Sequence, residues 1–84
     1  MDRVKIEAKI KDIISEVTGI NKDKILNSQS LGEDLGVDSL DLAEISFAIE
    51  DELEYIPSDQ ELDSVITVQD LVDMVADKKG INTY

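Results

Sequence analysis

The sequence predicts an all-α fold, a small four-helix bundle of three main helices and one short one. Three observations carry that expectation. Apolar residues recur with a period near 3.6 in three stretches. Polar capping residues stand just ahead of them. The alternating apolar and polar pattern of a half-buried strand does not occur.

Ile6, Ile10, Ile13, Ile14 and Val17 lay one stripe along a first helix, roughly residues 3 to 17. Asp2 caps its start, and Gly19 ends it in the left-handed conformation that glycine adopts without steric cost. From Ile20 to Val37 the pattern breaks into turn residues, with Ile25, Leu26, Leu31 and Leu35 between them. This reads as a long ordered loop pinned by those four side chains, and loops longer than about 12 to 15 residues in compact domains are usually functional.

The second helix opens at Asp38 or Ser39, where Asp38 followed three residues later by Asp41 forms a capping box with an acid in place of the usual Glu or Gln. It runs to about Leu53. Leu42, Ile45, Ile49 and Leu53 mark one face, and Leu40, Ala43 and Phe47 add apolar surface beside it. Ser58-Asp59-Gln60-Glu61 is a second capping box, placed after Pro57, for a short helical turn carrying Leu62 and Val65. Thr67-Val68-Gln69-Asp70 caps the last helix, with the stripe Val68, Leu71, Val72 and Val75. Lys78, Lys79 and Gly80 end it with suitable charge and a break.

At 84 residues the chain is expected to be one domain over 1–84. A chain of this size buries only roughly 60 to 65% of its unfolded surface, so the core is small. Cysteine and histidine are both absent, which disfavours disulfides, thiolate or histidine-assisted nucleophiles and most zinc chemistry. Any chemistry is expected to come from another protein. No apolar run approaches the ~20 residues of a membrane span, and Met1-Asp2-Arg3-Val4-Lys5 lacks a signal peptide's apolar stretch, so a cytoplasmic protein is expected, without membrane contact.

The net charge of -12 is unevenly spread. Residues 1–30 carry six Lys/Arg against five Asp/Glu, whereas residues 31–76 carry fourteen Asp/Glu and no Lys or Arg. So acidic a surface disfavours nucleic acid and steers basic patches of other proteins towards it. The only rings are Phe47, Tyr55 and Tyr84, too few for a base-stacking platform.

The run Leu35-Gly36-Val37-Asp38-Ser39-Leu40-Asp41 is the candidate site. A serine at a helix N-terminus after a glycine-bearing loop presents its hydroxyl to solvent, and the helix dipole favours a phosphate esterified there. Ser and Asp also cap helices with no further role, and Asp-Ser-Leu arises by chance in roughly a few chains per hundred of this length, so the tripeptide alone decides little. Its surroundings decide more. Glu33 to Asp41, Ala43-Glu44-Ile45, Ala48 to Leu53, Ile56-Pro57 and Thr67 to Leu71 together resemble the acyl carrier protein family across essentially the whole chain.

That resemblance implies an acyl-carrier fold and a carrier with no catalysis of its own. Ser39, flanked by Asp38 and Leu40, would receive 4'-phosphopantetheine from coenzyme A through a phosphopantetheinyl transferase. The arm's thiol would then hold acyl groups as thioesters for fatty acid, polyketide or related specialised biosynthesis. The resemblance also implies that Asp38, Asp41, Glu44, Glu50 and Asp51, with Leu40, Ala43 and Phe47, meet basic patches on acyl-transferring or ketosynthase-type enzymes. Ile6, Ile10, Ile45, Ile49, Leu53, Leu62 and Val72 are the implied lining of an acyl pocket, although each also reads as ordinary core. No metal site is expected in the chain, and a monomer is.

The sequence departs from the commonest family pattern after the second helix. Glu54 to Pro57 is one residue shorter than usual and Ser58 to Thr67 one longer; with Ala43 and Phe47 at partner-facing positions, this points to a specialised carrier. A small acidic interaction module without cofactor explains the charge equally well but not the capped serine. Asn21 to Ile25 starts like a calcium loop, yet the central glycine and later glutamate are missing.

Overall fold

The computed structural model describes residues 2–80, so Tyr84 and the chain ends lie outside the described residues. Among the described residues four α-helices form the expected bundle: α1 (Arg3–Thr18), α2 (Ser39–Leu53), the short α3 (Asp59–Asp63) and α4 (Val68–Lys78). α1 packs against both α2 and α4.

Each helix begins where its side chains satisfy the first free N–H groups. The Asp2 carboxylate accepts from the Lys5 N–H, and Asp38, Ser58 and Thr67 each close a reciprocal box with Asp41, Glu61 and Asp70. Gly19 ends α1 at φ 80°, as its position implied. α2 ends differently: Glu54, not a glycine, takes the left-handed conformation at φ 54° and ψ 39°. α3 stops at Asp63, so Val65 lies beyond it and packs against the core from the connection to α4.

One aliphatic cluster forms the core. Ile6, Ile10, Ile13 and Ile14 of α1 meet Ile45, Ile49 and Leu53 of α2 and Val68, Leu71, Val72 and Val75 of α4, all 0–1% exposed. The fully buried members are all aliphatic, with Tyr55 packed against the cluster from its edge, and each fully buried Val, Leu or Ile side chain contributes about 1.5–3 kcal/mol.

The long loop contains a 3-10 turn at Lys22–Lys24, opened by the Asn21 side chain accepting from the Asp23 N–H. Ile25, Leu31 and Leu35 anchor the loop in the core as expected. Leu26 does not: it is 56% exposed, because the turn that buries Ile25 sends its neighbour to solvent. The loop is also joined to the start of α4 through the main chain. Ser30 and Thr67 form an isolated antiparallel bridge. The Leu31 N–H donates to the Ile66 carbonyl at 2.9 Å, the Val68 N–H to Gln29 at 3.1 Å and the Gln69 N–H to Asn27 at 2.9 Å.

Candidate functional site

Three local devices position Ser39. Upstream, the Asp34 and Leu35 N–H groups both donate to the Ser30 carbonyl, and the Val37 N–H donates to Leu31 at 2.8 Å, which folds residues 30–37 back on themselves. Gly36, at φ 71°, supplies the left-handed residue that lets the chain turn into α2. At the helix start, the Asp38 carboxylate accepts from the Asp41 N–H at 2.8 Å, and the Asp41 carboxylate accepts from the Asp38 N–H at 3.4 Å. Asp38 is thus the cap and Ser39 the first helical residue.

Ser39 and Leu40 are both exposed. Their N–H groups precede the first intrahelical bond of α2, donated by Leu42 to the Asp38 carbonyl at 2.9 Å, and so point outward at the positive end of the helix dipole. With the cap claimed by Asp38, the Ser39 hydroxyl is left for other chemistry.

Two grooves meet at Ser39. One, of about 370 Å³, lies towards the loop and is lined by Leu31, Gly32, Val37, Leu42, Val65 and Ile66, with the polar Ser30, Asp38 and Ser39 at its edge. The other, of about 250 Å³, lies towards α3 between Leu42, Ala43 and Leu62, with Asp59 and Asp63 at its walls. The groove residues Val37, Leu42, Val65 and Ile66 were not among the sequence candidates. Their apolar character was visible, but nothing in the pattern tells a groove wall from a core position.

The other candidates separate into two groups. Leu40 (75% exposed), Ala43 and Phe47 (69% exposed) lie at helical spacing on the outer side of α2, among the exposed Asp38, Glu44, Glu50 and Asp51 and the half-buried Asp41. Ile6, Ile10, Ile45, Ile49, Leu53 and Val72 sit instead in the closed core. Leu62 alone of the seven acyl-lining candidates reaches a groove beside Ser39.

A second polar cluster braces α3 at the far end of α2. The Tyr55 hydroxyl is shielded from solvent without a hydrogen bond of good geometry, yet lies close enough to the Glu61 carboxylate to influence it. Burial and that carboxylate raise the Tyr55 phenol far above its ordinary range. The phenol, the Ser58 N–H and hydroxyl and Lys78, whose Nζ is 3.4 Å away, hold Glu61 down at about 2. The Thr67 and Ile66 N–H groups likewise lower Asp70. A wider open hollow of about 690 Å³, lined by Arg3, Glu61, Asp70, Asp73 and Asp77, adjoins this cluster and contains no sequence candidate. The Arg3–Asp73 ion pair occupies it.

Comparison with known proteins bears directly on this geometry. The family model described as "Phosphopantetheine attachment site" matches residues 8–75. A solved structure from Mycobacterium tuberculosis, assigned as an acyl carrier protein, is 30% identical and superposes with a TM-score of 0.81, covering 87% of this chain and 97% of that one. Proteins of this family bear covalent 4'-phosphopantetheine and serve as carriers, acted on by a phosphopantetheinyl transferase and by acyl-handling enzymes. A family match over most of the helical core, joined to this structural likeness, shows that the chain belongs to the acyl carrier protein family.

Proposed function

We propose that Ser39 is the attachment point of the arm, and that the chain, as a single carrier domain over 1–84, shuttles acyl intermediates between enzymes of fatty acid, polyketide or related specialised biosynthesis. The observation that carries this reading is the exposed, unclaimed hydroxyl of Ser39 at the first position of α2, with Asp38 already serving as the cap.

The residues present fit the group. The outward N–H groups of Ser39 and Leu40 favour the phosphodiester's oxygens. Gly36 and the folded-back loop leave the serine open to an approaching transferase. The grooves beside it offer apolar surface to an arm that must not hang wholly in water. Once attached, the arm supplies the thiol on which acyl groups ride as thioesters. With no histidine in the chain, Ser39 has none to take its proton, so the transferase must supply the base.

Partner recognition is assigned to the outer side of α2. Leu40, Ala43 and Phe47 form the apolar strip, and Asp38, Asp41, Glu44, Glu50 and Asp51 surround it with negative charge. A basic patch on a transferase, acyltransferase or ketosynthase-type enzyme is steered there, while like-charged partners and nucleic acid are repelled. The chain acts as a cytoplasmic monomer; no described helix is long and apolar enough to cross a membrane. Ile6, Ile10, Ile45, Ile49, Leu53 and Val72 shelter a long acyl chain only if the helices part, and Leu62 stands at the entrance.

Intact-mass measurement tests the attachment. With coenzyme A, magnesium and a phosphopantetheinyl transferase, the chain gains one phosphopantetheinyl group, and Ser39→Ala gains none while keeping its helical circular dichroism. A Ser39→Ala variant that still takes up the arm overturns the assignment.

A further inference from the structure

Ser39 borders two grooves, and the arm can rest in only one at a time. We infer that the phosphopantetheine arm docks in the loop-side groove, against a wall formed by Ile66, and not in the groove beside α3. The inference rests on Ser39 being the attachment point.

Ile66 stands immediately before the Thr67 cap of α4. A hydrophobic residue there commonly packs onto the fourth helical residue, here Leu71. Leu71 is fully buried, while the Ile66 side chain is 64% exposed. Its main chain is nonetheless held from both sides: the carbonyl accepts from the Leu31 N–H at 2.9 Å, and the N–H donates to the Asp70 carboxylate at 3.0 Å. An exposed β-branched side chain on so constrained a backbone is a stiff wall, prepared at little further entropic cost. Facing it are Val37 and Leu31, and Gly32 leaves the floor open: a β-carbon there would meet only the Val37 carbonyl oxygen, at 3.7 Å.

The two grooves differ in what an arm would meet. The loop-side groove is larger, about 370 against 250 Å³, and its walls are mainly aliphatic. On the α3 side an arm would strip water from Asp59 and Asp63, and its phosphodiester would begin beside their negative charge. On the loop side the arm meets one carboxylate, Asp38, which already accepts from the Asp41 N–H as the cap of α2, so an arm made of a branched aliphatic unit and neutral amides gains contact there at a smaller penalty.

A nitroxide placed on the thiol of the 15N-labelled holo protein reports the resting position. Amide signals of Gly32, Val37 and Ile66 broaden if the arm docks as inferred. Broadening centred on Ala43, Leu62 and Asp63, or none above that of a freely swinging label, overturns the inference. Ile66→Ser, an exposed change that spares the fold, lowers the docked population by about an order of magnitude through lost apolar contact and speeds the thiol's reaction with a disulfide reagent. Ile66→Leu restores the slow reaction, and Asp63→Asn leaves it unchanged. Acceleration in Asp63→Asn but not in Ile66→Ser places the arm on the α3 side. If no arm is added at all, the spin label has no thiol, the mass stays that of the apo chain, and the attachment assignment falls together with this inference. A correctly loaded chain with the label elsewhere removes this inference alone.

Discussion

Replacing Glu54 by glycine should stabilise the protein, and the size of the gain follows from one pair of angles. Glu54 ends α2 at φ 54° and ψ 39°, while its N–H donates to the Glu50 carbonyl at 3.1 Å. A left-handed backbone costs a residue with a β-carbon about 1–2 kcal/mol. Glycine avoids that cost but loses about 0.5–1 kcal/mol through the greater freedom of its unfolded chain. The net gain is about 0.5–1 kcal/mol, which raises the melting temperature of a domain this small by roughly 2–8 °C. The substitution also removes a carboxylate from the crowded stretch Glu50, Asp51, Glu52 and Glu54. Glu54→Ala removes the same charge and keeps the β-carbon, so the difference between the two variants isolates the backbone effect. Calorimetry on both decides the matter. Equal melting temperatures for Glu54→Gly and Glu54→Ala would show that the end of α2 carries no such strain.

The remaining predictions concern the core, the charge and the brace at α3. Ile49→Ala, at a fully buried position, should cost about 2–5 kcal/mol in urea unfolding, a large share of a small domain's stability; a loss under ~1 kcal/mol would mean that the core closes without it. Added salt or divalent cations should raise the apo protein's melting temperature, because fourteen carboxylates between residues 31 and 76 face no Lys or Arg in that stretch; a flat response would show that the repulsion is already relieved. Glu61 lies at about 2 in the folded state against its ordinary 4.5, so its stabilisation is complete above pH 4.5 and is lost as pH falls towards 2. Asp70, held down by the Thr67 and Ile66 N–H groups, acts in the same sense, while the general loss of negative charge in the acidic stretch eases repulsion and acts against both. The comparison is therefore between wild type and Glu61→Gln across that window, where the variant should show the smaller acid-induced loss; parallel curves would exclude the brace.

The helix caps were the most legible part of the sequence, because a cap is a local bargain between a side chain and a main-chain N–H two or three residues away. Asp2, Asp38 with Asp41, Ser58 with Glu61 and Thr67 with Asp70 all stand where the pattern put them. The stripes of α1, α2 and α4 were equally plain, since period and burial coincide there. The loop was not. Its bridge to α4 runs through main-chain groups of residues 27–31 and 66–69, which leave no side-chain signature. Leu26 and Ile25 are neighbours of similar hydrophobicity, and only the 3-10 turn decides which one is covered. Ser39 was legible as lying at the mouth of α2, with its place as cap or first residue left open until the structure gave the cap to Asp38. The groove wall at Ile66 was not legible: an isoleucine ahead of a cap looks the same whether it packs inward or stands free.

The bridge between Ser30 and Thr67 ties together two stretches that lie far apart in sequence. The segment that turns into α2 takes part of its hydrogen bonding from the backbone just ahead of α4. A shift at the start of α4 is therefore passed to the approach to Ser39 through main-chain groups, without any side chain of the acidic face taking part.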